Sequence, residues 1–175
     1  GYTACGRHKF PMNGAQLHLM LNHLPVMGAL FSLLLLGWSL IRRSAEVQKL
    51  ALAVALLAGL SSVPAYLTGE PAEEVIEPMA GVDKAYIEEH ESMGKFALWC
   101  GVALGVAAGA ALAAGVKNPR WLSAGTAITL LASVLVFGVM GYTAHLGGQI
   151  RHPEIRDDGM QATPSEPHEN EAHEE

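Results

Sequence analysis

The segment Trp121–Ile150, WLSAGTAITLLASVLVFGVMGYTAHLGGQI, contains no Asp, Glu, Lys or Arg. Three other segments are equally free of these residues: Phe10–Ile41, Leu50–Gly69 and Phe96–Val116. A helix rises about 1.5 Å per residue, so each segment is long enough to cross the ~30 Å hydrocarbon layer of a bilayer. The sequence therefore predicts an all-α fold, a four-helix transmembrane bundle in a lipid bilayer.

The predicted membrane domain covers residues 16–156 and is flanked by segments of different composition. We expect residues 1–15 to be a leader that is disordered or a cloning remnant, and residues 157–175 to be a disordered acidic tail. Residues 151–175 hold eight acidic and two basic residues, which accounts for the whole formal net charge of −6. The rest of the chain has no basic face, and this excludes nucleic acid as a partner.

A polar segment, Thr68–Ser92, separates the second span from the third. We expect it to form a short helical cap, with a surface helix at Ala72–Glu77 and a helix start at Asp83 that leads into the third span. The fourth span is expected to end near Gly147–Gly148. The two other connections are short turns that carry five basic residues: Arg42, Arg43, Lys49, Lys117 and Arg120.

Basic residues favour the cytoplasmic side of a membrane. Because the short turns concentrate them, we expect a multi-pass protein of the bacterial inner (cytoplasmic) membrane, with both termini and the cap on the periplasmic side. Four histidines lie near the span ends on that side: His18, His23, His90 and His145. Imidazole nitrogens near a membrane boundary need hydrogen bonds or a ligand. We therefore expect any bound cofactor or metal to lie in this layer of four histidines, called the histidine layer below.

Glycines lie on the same helix faces as two of these histidines. The third span repeats glycine every four residues, a spacing that lets another helix approach closely: Gly101, Gly105 and Gly109. His90 continues this face. On the fourth span, Gly138 and Gly141 share a face with His145. We expect both faces to point inward and to leave room for a flat group.

The first hypothesis for the histidine layer is a b-type haem held by two imidazoles from different helices. All four histidines are candidate cofactor-binding residues, with His18 as the reserve, and their spacing does not choose the pair. Arg151 or Lys95 would pair with the propionates. The protein would then be an electron-transfer subunit, passing electrons between a quinol and a periplasmic acceptor. The sequence has no C-x-x-C-H motif, which excludes covalent c-type haem.

Two other hypotheses stay open. One is a metal site for Fe, Zn or Cu built from imidazoles and carboxylates: His23, His90, His145, Glu70 and Glu74. The other is a non-catalytic accessory subunit that docks in a larger membrane complex, such as a respiratory or photosynthetic one. No catalytic residue is assigned, and a redox or accessory subunit is expected rather than an independent enzyme. In each case we expect association with other membrane protein subunits.

Four motifs give the chain a family resemblance: His18–Pro25 (HLMLNHLP), Leu67–Glu74 (LTGEPAEE), Ile87–Glu91 (IEEHE) and Thr143–His152 (TAHLGGQIRH). On these motifs the chain resembles a bacterial family of small four-helix membrane proteins of unknown function. The resemblance spans Met12 to Arg156. It implies the four-helix fold and this set of polar positions. Relatives of this broad type can occur beside respiratory or redox components, which favours the haem hypothesis.

Overall fold

The structure, a computed structural model of one chain, describes residues 12–156. Most of the leader (residues 1–11) and the acidic tail (157–175) lie outside the described residues. The described part contains no strand and consists of five α-helices and a final 3-10 turn at Pro153–Ile155: α1 Gly14–Arg42, α2 Ala45–Leu67, α3 Gly69–Ile76, α4 Lys84–Lys117 and α5 Pro119–Arg151. Four helical segments are long and apolar enough to cross a membrane: α1, α4, α5, and α2 together with α3. The predicted all-α transmembrane bundle is confirmed.

Side chains cap the starts of two helices at the end of the bundle that carries His18 and His90, called the histidine end below. The Asn13 Oδ1 accepts a hydrogen bond of 2.8 Å from the backbone of Gln16, and the Gln16 side chain accepts one of 3.2 Å from the backbone of Asn13. This reciprocal pair begins α1 at Gly14, two residues before the predicted membrane domain. The predicted cap at Asp83 is confirmed, because its Oδ1 accepts from the backbone of Ala85 at 2.9 Å.

The helices form a square in cross-section. Both α1 and α4 pack on α2 and α5, so α1 and α4 lie diagonally opposite each other. The short α3 follows α2 after one residue, Thr68, and packs against α1. Three leucines, one from each of three helices, are almost fully buried at the centre: Leu36, Leu52 and Leu104. Large apolar side chains such as Trp99 and Leu131 remain exposed on the outside, as a lipid environment allows.

The glycine repeat of α4 packs against α2 of the same chain. A Cβ added to Gly59 of α2 would lie 2.5 Å from the carbonyl oxygen of Gly101 and 2.7 Å from the Cα of Gly105. Real Cβ atoms do not approach a backbone so closely, so glycine is required at this crossing. The predicted close helix approach is confirmed.

The expected end of α5 at Gly147–Gly148 is wrong, since the helix continues to Arg151. Its last carbonyls are satisfied by a side chain from beyond the helix. The Arg156 Nε donates to the carbonyl of Gln149 at 2.8 Å, and its Nη2 donates to that of Ile150 at 3.1 Å. These hydrogen bonds stabilise a last turn that the two glycines disfavour.

We predict that Gly59→Ala lowers the free energy of unfolding by about 1–3 kcal/mol, because the new methyl group overpacks the α2–α4 crossing. Gly138→Ala is the matched control, since a Cβ there would meet no atom within 4 Å. It should leave stability unchanged or raise it, because alanine favours helix. Thermal unfolding of both variants in one detergent, followed by circular dichroism, tests this. Equal midpoints would contradict the observed crossing.

Candidate functional site

Two of the four predicted histidines meet at the capped end of the bundle. His18 of α1 and His90 of α4 have ring centroids 6.4 Å apart, and their ring planes are nearly perpendicular, at 85°. Both side chains are partly buried. Because α1 and α4 are diagonal partners, the two imidazoles face each other across the bundle axis.

Each imidazole of this pair bonds a neighbouring helix through its Nδ1 atom. The His90 Nδ1 lies 2.9 Å from the carbonyl oxygen of Thr143 on α5. A carbonyl can only accept, so His90 carries a proton on Nδ1. The His18 Nδ1 lies 3.1 Å from the hydroxyl oxygen of Thr68, which joins α2 to α3. Within residues 12–156, neither Nε2 has a hydrogen-bond partner.

Gly147 makes room for the ring of His90. A Cβ added to Gly147 would lie 3.0 Å from Cε1 and 3.3 Å from Nδ1 of His90. The sequence suggested that this glycine ends a helix, but its role in the fold is to let an imidazole lie flat against α5. The signal was its position four residues after Thr143, which puts both residues on one helix face.

One helical turn deeper, each diagonal helix carries a second notable residue. Asn22 follows His18 by four residues, and its Oδ1 is buried with no hydrogen-bond partner among the described residues. Gly94 follows His90 by four residues and shares a face with the buried Ala97, yet a Cβ at Gly94 would meet no atom within 4 Å. Asn22 is not among the site residues predicted from the sequence, although its spacing from His18 places both on one face of α1.

The other two histidines lie on the outside of the bundle. His23 is exposed, and its Nδ1 lies 2.6 Å from the carbonyl oxygen of Leu19 in its own helix. His145 is also exposed and accepts from the Gln149 side chain at 3.3 Å. Within residues 12–156, no hydrogen bond or ring contact joins either of them to the His18–His90 pair.

The glycine-lined face of α5 points outward, so the expectation that it faces the bundle interior is wrong. Gly138 and Gly141 are both exposed. The inner side of α5 instead carries three buried hydroxyl residues, each bonded to a carbonyl of its own helix: Thr126, Thr129 and Ser133. Such self-satisfied hydroxyls can be buried at little cost.

The carboxylates of the metal hypothesis are not gathered around an imidazole. Glu70 and Glu74 are exposed on α3. Throughout the described part of the chain, no three His, Cys, Asp or Glu side chains lie close enough to hold a metal ion together. The proposed propionate partners Arg151 and Lys95 are exposed, and Arg151 contacts the sulfur of Met79 at 3.7 Å.

Comparison with known proteins adds no assignment. No protein-family model, no curated protein and no solved structure matches the chain. The resemblance to a family of small four-helix membrane proteins therefore stays a prediction, and function must be argued from the site.

We predict that Asn22→Leu stabilises the protein isolated without added ligand. The substitution replaces a buried, unpartnered carbonyl by an apolar group of similar size, and such an oxygen costs about 1–3 kcal/mol. Thermal unfolding in detergent measures the effect, with Asn118→Leu as a destabilising control, because Asn118 caps α5 through a 2.9 Å hydrogen bond to the backbone of Arg120. A lower midpoint for Asn22→Leu would show that the Asn22 oxygen has a partner in the isolated protein.

Proposed function

We propose that this protein is an integral membrane electron-transfer subunit in which His18 and His90 hold a b-type haem near one membrane face. The observation that carries the proposal is the His18–His90 pair itself. The two imidazoles come from diagonally opposite helices, their centroids are 6.4 Å apart, and both Nδ1 atoms are occupied by protein contacts.

The separation of the two rings suits a shared metal. A histidine nitrogen binds a transition metal at about 2 Å, and the ring centre lies roughly 1.2 Å behind that nitrogen, so two imidazoles on opposite sides of one metal have centroids about 6.4 Å apart. The 6.4 Å between the ring centroids of His18 and His90 is of this size, so the two imidazoles would hold one metal between them.

The donor set fits haem iron better than a bare ion. His18 and His90 would be the two protein residues that hold the iron, and a haem would bring its remaining nitrogen ligands with it. A structural zinc site would need further ligands from the protein. Hydrogen bonds from the Nδ1 of a ligating histidine are the usual support for such a ligand. No atom lies within 4 Å of a Cβ built at Gly94, one turn below His90, so that position would not obstruct a ring. A bound haem supplies reversible one-electron chemistry.

Charge distribution supports a periplasmic position for this site. The turns at the far end of the bundle carry the five basic residues noted above, with Glu46 as the one acid between Arg42 and Lys49. The histidine end carries many exposed carboxylates, among them Glu70, Glu74 and Glu88. With the basic turns in the cytoplasm, the site lies where a membrane quinol can donate electrons and a periplasmic protein can accept them.

The partners in this proposal are other membrane protein subunits of an electron-transfer complex. The Gly101–Gly105 repeat does not itself support such a partner, because it packs on α2 within the chain. The expectation of partner subunits follows instead from the proposed electron-transfer function. A subunit with one redox site relays electrons between a donor and an acceptor that it does not itself contain.

Orientation is tested by labelling intact cells with a membrane-impermeant maleimide. Single cysteines are introduced by Ser44→Cys in the α1–α2 turn and by Glu154→Cys beyond α5, after Cys5 and Cys100 are replaced by serine. We expect the cysteine at 154 to be labelled from outside, and the one at 44 only after permeabilisation. The reverse pattern would put the His18–His90 pair on the cytoplasmic side.

Haem binding is tested by absorption spectroscopy and iron analysis of protein purified with haem synthesis intact. We expect a Soret band and split visible bands on reduction, both lost in His18→Ala and His90→Ala, because two imidazoles make the iron low-spin. His23→Ala and His145→Ala are matched controls and should keep the spectrum, since both side chains lie outside the pair. A colourless, iron-free wild type would overturn the proposal. Metal without a Soret band would favour the His/Glu hypothesis.

A further inference from the structure

We propose that Thr68 is a positioning residue that fixes the proton of His18 on Nδ1 and so leaves Nε2 free to coordinate. This inference rests on the proposed haem function for its consequence, but the protonation of His18 can be measured without haem. It depends on the contacts of one hydroxyl group. The Thr68 Oγ1 lies 3.1 Å from the His18 Nδ1, 3.0 Å from the carbonyl oxygen of Pro64 and 3.0 Å from that of Ala65.

The hydroxyl of Thr68 has a single proton and two lone pairs. Both neighbouring carbonyls can only accept, and a hydroxyl that donated to His18 instead would turn lone pairs towards two carbonyl oxygens at 3.0 Å, which is repulsive. The proton is therefore donated to Pro64 or Ala65. Towards His18 the oxygen can then offer only a lone pair. The Nδ1 of His18 must therefore be the donor. Because the neutral ring carries one proton, its Nε2 holds a bare lone pair.

The fold holds Thr68 in place from both sides. Its backbone N–H donates to the carbonyl of Pro64 at 3.2 Å, and this bond closes the last turn of α2. Its own carbonyl accepts from the N–H of Ala72 at 3.3 Å, in the first turn of α3. In turn, α3 packs tightly on the start of α1, where a Cβ on Gly14 would lie 2.8 Å from the Pro71 Cβ. The hydroxyl therefore has a set position relative to His18 on α1.

The two imidazoles of the site reach the same protonation state by different means. His90 donates to a backbone carbonyl, which no substitution of Thr143 removes. His18 depends on a side chain that can be replaced. This difference gives a matched pair of variants, Thr68→Val and Thr143→Val. The Thr143 hydroxyl bonds the carbonyl of Val139 at 2.9 Å in its own helix, so its removal leaves the hydrogen bond of His90 in place.

The experiment compares Thr68→Val, Thr68→Ser and Thr143→Val with the wild type. The first readout is nitrogen NMR of histidine-labelled protein in micelles without haem, with the signal of His18 assigned by its loss in His18→Ala. We expect an unprotonated Nε2 on His18 in the wild type, in Thr68→Ser and in Thr143→Val. In Thr68→Val we expect a substantial population with the proton on Nε2.

The second readout is haem affinity and midpoint potential of the loaded protein. Loss of a hydrogen-bonded support for a metal ligand typically weakens binding about 10- to 100-fold. We expect Thr68→Val to bind haem at least about 10-fold more weakly and with an altered midpoint potential, while Thr68→Ser and Thr143→Val remain at the wild-type values.

The two proposals fail in different ways. A protonated Nε2 on His18 in the wild type, or Thr68→Val indistinguishable from Thr143→Val in the NMR spectra, would overturn the role of Thr68. A wild type that shows the expected NMR signals but takes up no haem would overturn the haem function and leave the protonation of His18 established. A loss of haem from all three variants alike would indicate general packing damage and count against a positioning role.

Discussion

The histidine end of the bundle depends on the need of partly buried imidazoles for hydrogen-bond partners, which each ring meets here at one nitrogen, Nδ1. His18 finds its partner on Thr68, and His90 finds its partner on the backbone of Thr143. Each bond crosses from one helix to the next. Together they tie α1 to the end of α2 and α4 to α5, so one pair of side chains joins all four spanning helices.

This arrangement requires backbones that approach closely. Gly59 meets Gly101 and Gly105 where α2 crosses α4, and Gly147 lets the ring of His90 lie against α5. Small residues matter in a membrane because lipid tails provide no hydrophobic drive between helices, so close packing must provide the attraction. With α2 and α5 held near α4, the diagonal helix α1 is near enough for His18 to come within 6.4 Å of His90.

Elsewhere in the membrane layer, buried hydroxyl groups bond carbonyls of their own helix, as Thr126 and Ser133 do. At the opposite end of the bundle, one hydrogen bond joins two helices, from Ser123 of α5 to Gln48 of α2. The histidine end has two bonds from imidazoles to neighbouring elements, and it also holds the Asn22 Oδ1, which is buried with no partner within the described chain. Buried polar atoms in proteins are normally hydrogen-bonded, so the unpartnered Oδ1 of Asn22 distinguishes this end of the bundle.

The amino-acid sequence alone determined the spans, their number and the layer of the histidines, because uncharged length and helical rise are local properties. Asp83 as a helix start and the glycine repeat of α4 as a packing face were also readable, since caps and small-residue spacing act within a few turns. The sequence could not choose among His18, His23, His90 and His145, because its periodicity does not say which helix faces which neighbour.

Only the tertiary structure showed which two of these histidines lie together, namely His18 and His90. It turned the glycine face of α5 outward, since the hydroxyl residues Thr126, Thr129 and Ser133 can satisfy themselves and take the inner side. It also carried α5 past its two late glycines, because Arg156 returns from beyond the helix to bond the last carbonyls. The pairing of His18 with His90 follows from the diagonal placement of α1 and α4. That placement arises from the packing of all four helices at once, which no single segment contains.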